Sequence, residues 1–414
     1  MPAMKIKEAV GENLKEAVDF LCSAIKIKSV SGEGEEEIQA FIKDKFAPLG
    51  TVSLVGIPDG IKKDPQYTFA DKELDYSRRK NIVLDYPSSG KGKSLILNSH
   101  SDVVPAESWK DAFSPGARDN FIFGRGAVDA KGQVATIYLV LLALKKLGVR
   151  LKGSLSAQVV IEEEVGGNGS LSLIRQGYRA DGVIVLEPTR LKITPANRGA
   201  VWFKLEIEGR SVHMGKIREG VNAIEKTCLV MKKMKEYEKV LVEESRNIPL
   251  FEKFEQPVQV NFGTISGSGW PAMVCGNTFL EGGVGFLPNK SMDIVKKELE
   301  DVIRNCGDQW VKEHYRLSFN KIHNDAYSIP PGHPLVEALK LSSERTGNLC
   351  EVEGFIVSCD ARLFNRVGNM PVVVFGPGRI EDAHSNSEKI DAGEIRKAAE
   401  VLTETVLQWC GQEN

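Results

Sequence analysis

The chain has 414 residues, 42% of them hydrophobic and 27% charged, with a formal net charge of −2. That is the make-up of a globular protein of two or three domains. Without a long block of either sign it offers no nucleic-acid footprint, and no run approaches the ~18 apolar residues of a membrane span.

The opening residues hold no apolar core of signal-peptide length. The seven cysteines are widely spaced and never form a C-x-x-C pair, so neither a disulfide framework nor a thiolate metal site is expected. A cytoplasmic protein is the expectation, and any metal must be held by histidine and carboxylate.

Apolar spacing predicts helices over 8–28 and 35–48, joined by a Ser/Gly turn. Residues 51–80 are polar and irregular and read as a strand followed by a long loop. Residues 81–86 and 94–98 read as paired strands around the turn Ser88-Ser89-Gly90. A strongly amphipathic helix is predicted over 131–147, closed by Gly148. A strand follows at 153–161, a short helix at 170–175 and an apolar strand at 182–186. This alternation predicts an α/β fold with a mixed or parallel sheet.

The texture changes near Asn197. Residues 201–208 alternate apolar and polar, as a strand with one wet face does. A helix at 221–237, strands at 257–265 and 276–286, a helix at 290–305 and a strand at 316–321 complete a β-α-β-β-α-β order, the split βαβ arrangement. An α+β (ferredoxin-like) domain inserted over 198–322 is therefore expected. It interrupts an α/β domain made of 1–197 and 323–414, in which a helix at 334–346, a strand at 372–375 and a helix at 392–410 resume the earlier pattern.

In an open α/β sheet, ligands bind beyond the carboxyl ends of the strands. His100 and Asp102 follow strand 94–98, the Glu162-Glu163-Glu164 run follows 153–161, Glu187 follows 182–186, and His384 lies after 372–375. Asp129 precedes the helix that feeds strand 153–161. A lone histidine or an acidic run is ordinarily a solvated surface feature; the shared position is what points to a site. Imidazole and carboxylate gathered at one sheet edge are what a hydrolytic pair of metal ions requires.

Taken in order, His100-Ser101-Asp102-Val103-Val104-Pro105, Gly124-Arg125-Gly126-Ala127-Val128-Asp129-Ala130-Lys131-Gly132, Glu162-Glu163-Glu164-Val165-Gly166-Gly167, Glu187-Pro188-Thr189, Gly376-Pro377-Gly378 and His384-Ser385-Asn386-Ser387-Glu388 resemble the M20 metallopeptidase family. The acetylornithine deacetylase and succinyl-diaminopimelate desuccinylase branch is nearest in texture. The resemblance implies a zinc-peptidase-like catalytic domain with a mixed sheet between helices, and an inserted lid or dimerisation domain. It implies two divalent ions, zinc first, with cobalt or manganese as alternatives. His100 and Glu187 would hold one ion, Glu164 and His384 the other, and Asp129 would bridge them. Asp102 would orient His100, Glu163 would be the general base, and the Asp129–Ala130 peptide would be cis. Glu162 is read as supporting structure.

His213, in Gly209-Arg210-Ser211-Val212-His213, resembles a histidine that reaches the partner's active site in dimeric relatives, so a homodimer is expected. Family inserts often carry an arginine in an R-x-x-P stretch. Here Gly282-Gly283-Val284-Gly285-Phe286-Leu287-Pro288 has glycine near that place, which implies a bulkier substrate or a carboxylate held elsewhere, by Asn277 for instance. Arg362 is a second candidate for a substrate carboxylate, with a structural ion pair as its alternative. The activity implied is removal of an N-acyl group from an amino acid. A dipeptidase or carboxypeptidase on the same centre and a catalytically inactive binding relative remain as alternatives.

Overall fold

Ile6, Val10, Ala17, Phe20, Leu21 and Ile25 recur at helical spacing and are buried along α1 (Ala3–Lys26). The computed structural model describes residues 3–69, 74–319 and 321–413. In chain order α1 is followed by α2 (Glu35–Phe46), β1 (Thr51–Gly56), β2 (Lys80–Tyr86), β3 (Leu95–His100), β4 (Gly116–Arg118), β5 (Phe121–Phe123), α3 (Lys131–Lys146), β6 (Leu155–Val160), α4 (Asn168–Arg175), β7 (Gly182–Val185) and β8 (Ala196–Asn197). Next come β9 (Gly199–Glu208), α5 (Ala223–Ser245), β10 (Val260–Ser268), β11 (Asn277–Phe286), α6 (Met292–Arg304), α7 (Gln309–Glu313), β12 (Tyr315–Ser318), β13 (His323–Asn324) and β14 (Tyr327–Ser328). The chain closes with α8 (Pro334–Thr346), α9 (Ala361–Arg366), β15 (Val372–Val374), β16 (Lys389–Asp391) and α10 (Ala392–Cys410).

Two compact units result: Met1–Ala196 with Ile329–Phe355 and Cys359–Asn414, and Asn197–Ser328 with Ile356–Ser358. In the first, a six-stranded mixed sheet has the order β1-β2-β6-β3-β7-β15. β6, β3, β7 and β15 are mutually parallel, and β2 is antiparallel to both its neighbours. Every residue of β3 and β7 is buried, as expected for strands covered on both faces. α1, α3, α8 and α10 pack on one another over this sheet, with α3 and α10 touching β3.

The mixed α/β fold expected from the sequence is thus present, with local differences. β2 and β3 do not pair with each other, because β6 lies between them and bonds to both. A turn signal between two strands cannot register a third strand arriving from elsewhere in the chain. α3 is not amphipathic: every residue from Lys131 to Leu144 is buried, since other helices enclose it. Of the long loop expected before 81, residues 70–73 lie outside the described residues.

In the second unit, β10, β11, β9 and β12 form an antiparallel sheet, with β13 added against the start of β9. β9 buries Val201, Phe203, Leu205 and Ile207 and leaves the residues between them exposed or half-buried, the period of two that a half-wet strand requires. α5 and α6 pack together and on this sheet, burying Val230, Met234, Val295, Leu299 and Ile303. α5 runs two turns beyond the predicted end at 237, held by Leu241 and Ser245, which are also buried. Of the strand predicted over 316–321, Tyr315–Ser318 forms β12, and residue 320 lies outside the described residues.

Candidate metal centre

The four parallel strands end along one edge, and the acids and histidines sit at or just past those strand ends. β3 ends on His100 itself, with Asp102 two residues on, both buried. The glutamate run leaves β6 through a turn in which Glu162 has φ 64°. The Gly166 and Gly167 amides close that turn on the carbonyls of Glu163 (2.9 Å) and Glu162 (2.7 Å). Glu187 lies two residues beyond β7. Asp129 stands ahead of α3, where its amide and that of Val128 donate to Glu388 Oε1 at 3.1 and 3.0 Å. Glu388 Oε2 in turn accepts from Arg125 Nη1 at 2.7 Å. The Asp129–Ala130 peptide is cis, and His384 has φ 56° in the loop after β15.

These positions bring the five expected ligands together. His100, Asp129 and Glu187 form one group whose donor atoms lie within 4.8 Å of one another, and Asp129, Glu164 and His384 form a second. His100 Nε2 is 3.1 Å from Asp129 Oδ1 and 4.0 Å from Glu187 Oε1. His384 Nε2 is 3.2 Å from both Asp129 Oδ2 and Glu164 Oε2. Asp129 belongs to both groups, one oxygen toward each histidine. Glu163 belongs to neither, and its Oε2 lies 4.0 Å from His100 Nε2.

The electrostatics are those of a site short of positive charge. Burial drives Glu163 and Glu187 well above the carboxylate range, with His100 opposing and Asp360 and neighbouring acids adding to the rise. Burial and Asp129 lift Glu164 to about 7, and burial raises Asp360 to about 6. Hydrogen bonds to Asp129 and Glu164 raise His384 to about 10. Burial opposes the charge on His100, but Asp102 and Asp129 outweigh it and raise its pKa. Burial likewise opposes ionisation of Asp129, which the two histidines nonetheless hold low. Six carboxylates thus gather around two imidazoles, an arrangement that divalent cations would neutralise. Glu164 Oε1 is buried with no hydrogen-bond partner, a donor left for a cation. The oxygen–nitrogen donor set fits zinc, cobalt or manganese.

The profile of Peptidase family M20/M25/M40 matches residues 96–408. This chain belongs to that family. As an M20 chain it is a hydrolase of C–N amide bonds. It is 28% identical over 370 residues to an N-formyl-4-amino-5-aminomethyl-2-methylpyrimidine deformylase of Bacillus subtilis (strain 168), covering 83% of this chain and 86% of the relative. It is 27% identical over 369 residues to an acetylornithine deacetylase of Klebsiella pneumoniae (strain 342), covering 86% and 91%. In fold it resembles a tripeptidase from Staphylococcus aureus subsp. aureus mu50, with TM-score 0.76, 20% identity and 96% and 99% of the two chains covered. Human carnosine dipeptidase 1 superposes with TM-score 0.74 at 17% identity, covering 99% and 98%.

The remaining candidates of this M20 chain divide between the two units. The His100 Nδ1 atom is 3.0 Å from the Asp102 backbone oxygen and 3.4 Å from its carboxylate, so the carbonyl is the nearer acceptor. The Asp102 carboxylate also accepts from the amides of Glu163 (3.3 Å) and Glu164 (3.2 Å) and from Ser31; it ties the histidine strand to the glutamate turn. Arg362 is buried in α9, with Nη2 donating to the Gly166 carbonyl at 2.9 Å, a contact that braces the same turn. Asn277 opens β11 in the second unit and donates to Glu206 at 2.9 Å. His213, also in the second unit, is exposed and caps the turn Met214–Glu219, its Nδ1 accepting from the Gly215 amide at 3.1 Å. In the neutral ring that leaves the proton on Nε2.

Several supporting residues carry no mark in the sequence. Arg79 pairs with both Glu162 and Glu35, all three buried. Tyr76 and Asn168 donate to Glu162 Oε2 at 2.8 and 2.9 Å. Glu388 is visible in the sequence only as the end of a motif. Nothing in the local sequence marks Arg79 or Glu35, whose partners lie far away in the chain.

Proposed function

We propose that this chain removes an N-acyl group from an amino acid, cleaving the amide C–N bond with water. The observation that carries the reading is a pair of ligand groups sharing Asp129, with Glu163 beside them and used by neither. His100, Asp129 and Glu187 would hold one divalent ion and Asp129, Glu164 and His384 the other. Such ions, zinc first, supply water of lowered pKa and polarise the scissile carbonyl. Glu163 takes the proton from the attacking water on its carboxylate and delivers it to the departing amine nitrogen. Asp102 and Arg362 hold the turn that aims Glu163. His213 is assigned as the donor to the developing oxyanion through Nε2–H, from the second copy of a homodimer. Asn277 is assigned to the substrate carboxylate.

The 28% and 27% identities to a deformylase and a deacetylase favour deacylation over the dipeptidase alternative, which uses the same centre. Glu163→Gln is expected to lower turnover about 10²–10⁴-fold with metal content unchanged, measured on N-formyl, N-acetyl and N-succinyl amino acids beside dipeptides. Faster hydrolysis of the dipeptides would transfer the assignment to the peptidase reading. A Glu163→Gln protein that keeps full turnover would remove the base.

A further inference from the structure

The fold holds the two ligand groups in different ways. His100 ends β3, and Glu187 follows β7, which pairs with β3 in parallel. The sheet fixes both backbones. Asp129, Glu164 and His384 all stand on turns, so side chains must set them relative to one another.

Arg125 and Glu388 are the pair placed to do this. Pairing of β16 with β5 sets Lys389 opposite Phe123, and the Gly124 amide donates to the Glu388 carbonyl at 3.1 Å. That ladder delivers Glu388 to the turn of Asp129, 259 positions away in the chain. Both side chains of the pair are buried. Glu388 Oε1 holds the Val128 and Asp129 amides, and Oε2 accepts from Arg125 Nη1. The same Nη1 donates to the carbonyl of Ser385, the residue after His384, at 3.4 Å, and Nη2 donates to that of Pro105 at 3.4 Å. The guanidinium carbon lies 5.7 Å from the centre of the Trp109 ring. One planar fork thus touches the loop after β3, the His384 turn and, through Glu388, the Asp129 backbone.

Asp129 turns Oδ1 to His100 and Oδ2 to His384. A rotation that kept Oδ1 on His100 would take Oδ2 off His384. Slack in these turns therefore opens the second group before the first.

We propose that the buried Arg125–Glu388 pair positions the ligands of one ion only: it sets Asp129 against His384 and so determines how tightly the ion of the Asp129, Glu164 and His384 group is held. This rests on the reading of the two groups as two metal sites. Neither residue of the pair belongs to either group, and neither has a part in the chemistry.

The test is equilibrium dialysis of the chelator-treated protein against zinc, with the metal-free melting temperature as the measure of folding. The parent is expected to bind two ions per chain. Arg125→Lys keeps a cation for Glu388 but lacks the fork that reaches Ser385. It is expected to hold one ion as the parent does and the other about ten- to a hundredfold more weakly. Glu388→Asp, one methylene short of the two amides, should do the same. Adding His384→Ala to Arg125→Lys should leave the tightly held ion untouched, because both changes act on the same ion. Equal weakening of both ions overturns the proposal, as does parental binding of both, or loss of the tight ion in the double variant. If Arg125→Lys and Glu388→Asp both lose a cooperative metal-free melt, the proposal is also overturned, since the pair then holds the fold rather than the ion. A parent that binds fewer than two ions overturns the two-ion reading itself, whereas two ions in the parent and in every variant of the pair overturn only the positioning role.

Discussion

His384 reaches only one of the two ligand groups, 3.2 Å from Asp129 and from Glu164, whereas His213 lies in the other unit and in neither group. Their alanine variants should therefore separate. His384→Ala is expected to lose about one ion per chain by elemental analysis, while His213→Ala should keep full metal and lose about 10²-fold or more in turnover. Glu35 offers a test in the pH dependence of stability. Burial and the Asp102 charge push it up to about 8 against the opposing Arg79. Its proton is held more tightly folded than unfolded, so its stabilising contribution is complete below about 4.5 and is lost as the pH rises through about 8. The stability of the wild type relative to Glu35→Gln, from denaturant unfolding, should fall as the pH rises from about 5 to about 8; a difference that does not change with pH would place the proton elsewhere. The metal-binding residue types could be read singly from the sequence, because they end strands and carry unusual chemistry. Glu35 and Arg79 could not, because two residues in buried contact look like two surface charges until their partners are known.

The turn after β6 is the element on which the site depends. Gly167 has φ 82°, and a Cβ there would stand 2.2 Å from Asp360 Oδ1. Gly167→Ala combines left-handed strain with that collision and is expected to cost about 1–3 kcal/mol, lowering the melting temperature. It should also lower turnover, because Glu163 and Glu164 ride on the same turn, and a variant as stable and active as the parent would show that the turn has slack. The adjacent glycines Gly166 and Gly167 are a local turn signal. The bracing of that turn by Asp102 and Arg362 did not show, since those contacts span up to 196 positions. The same limit explains β2 and β3: a turn between two strands in sequence says nothing of β6, which arrives later and separates them.

For the whole molecule, the crowding of Asp129, Glu163, Glu164 and Glu187 is expected to make folding stability depend on cations. Removing metal with a chelator is expected to lower the melting temperature, and zinc at about 100 times its Kd should restore roughly 2.7 kcal/mol. A melting temperature indifferent to both would mean the acids are neutralised by their own protons. Family membership, the α/β class and the clustering of His100, Asp129, Glu164, Glu187 and His384 were legible in the sequence because strand ends and motif order can be read along a chain. Packing decided what no local pattern encodes. It set β6 between β2 and β3, enclosed α3 on all sides and used Arg362 to brace a turn. Each of these depends on which distant segments share space, and that is a property of the folded chain alone.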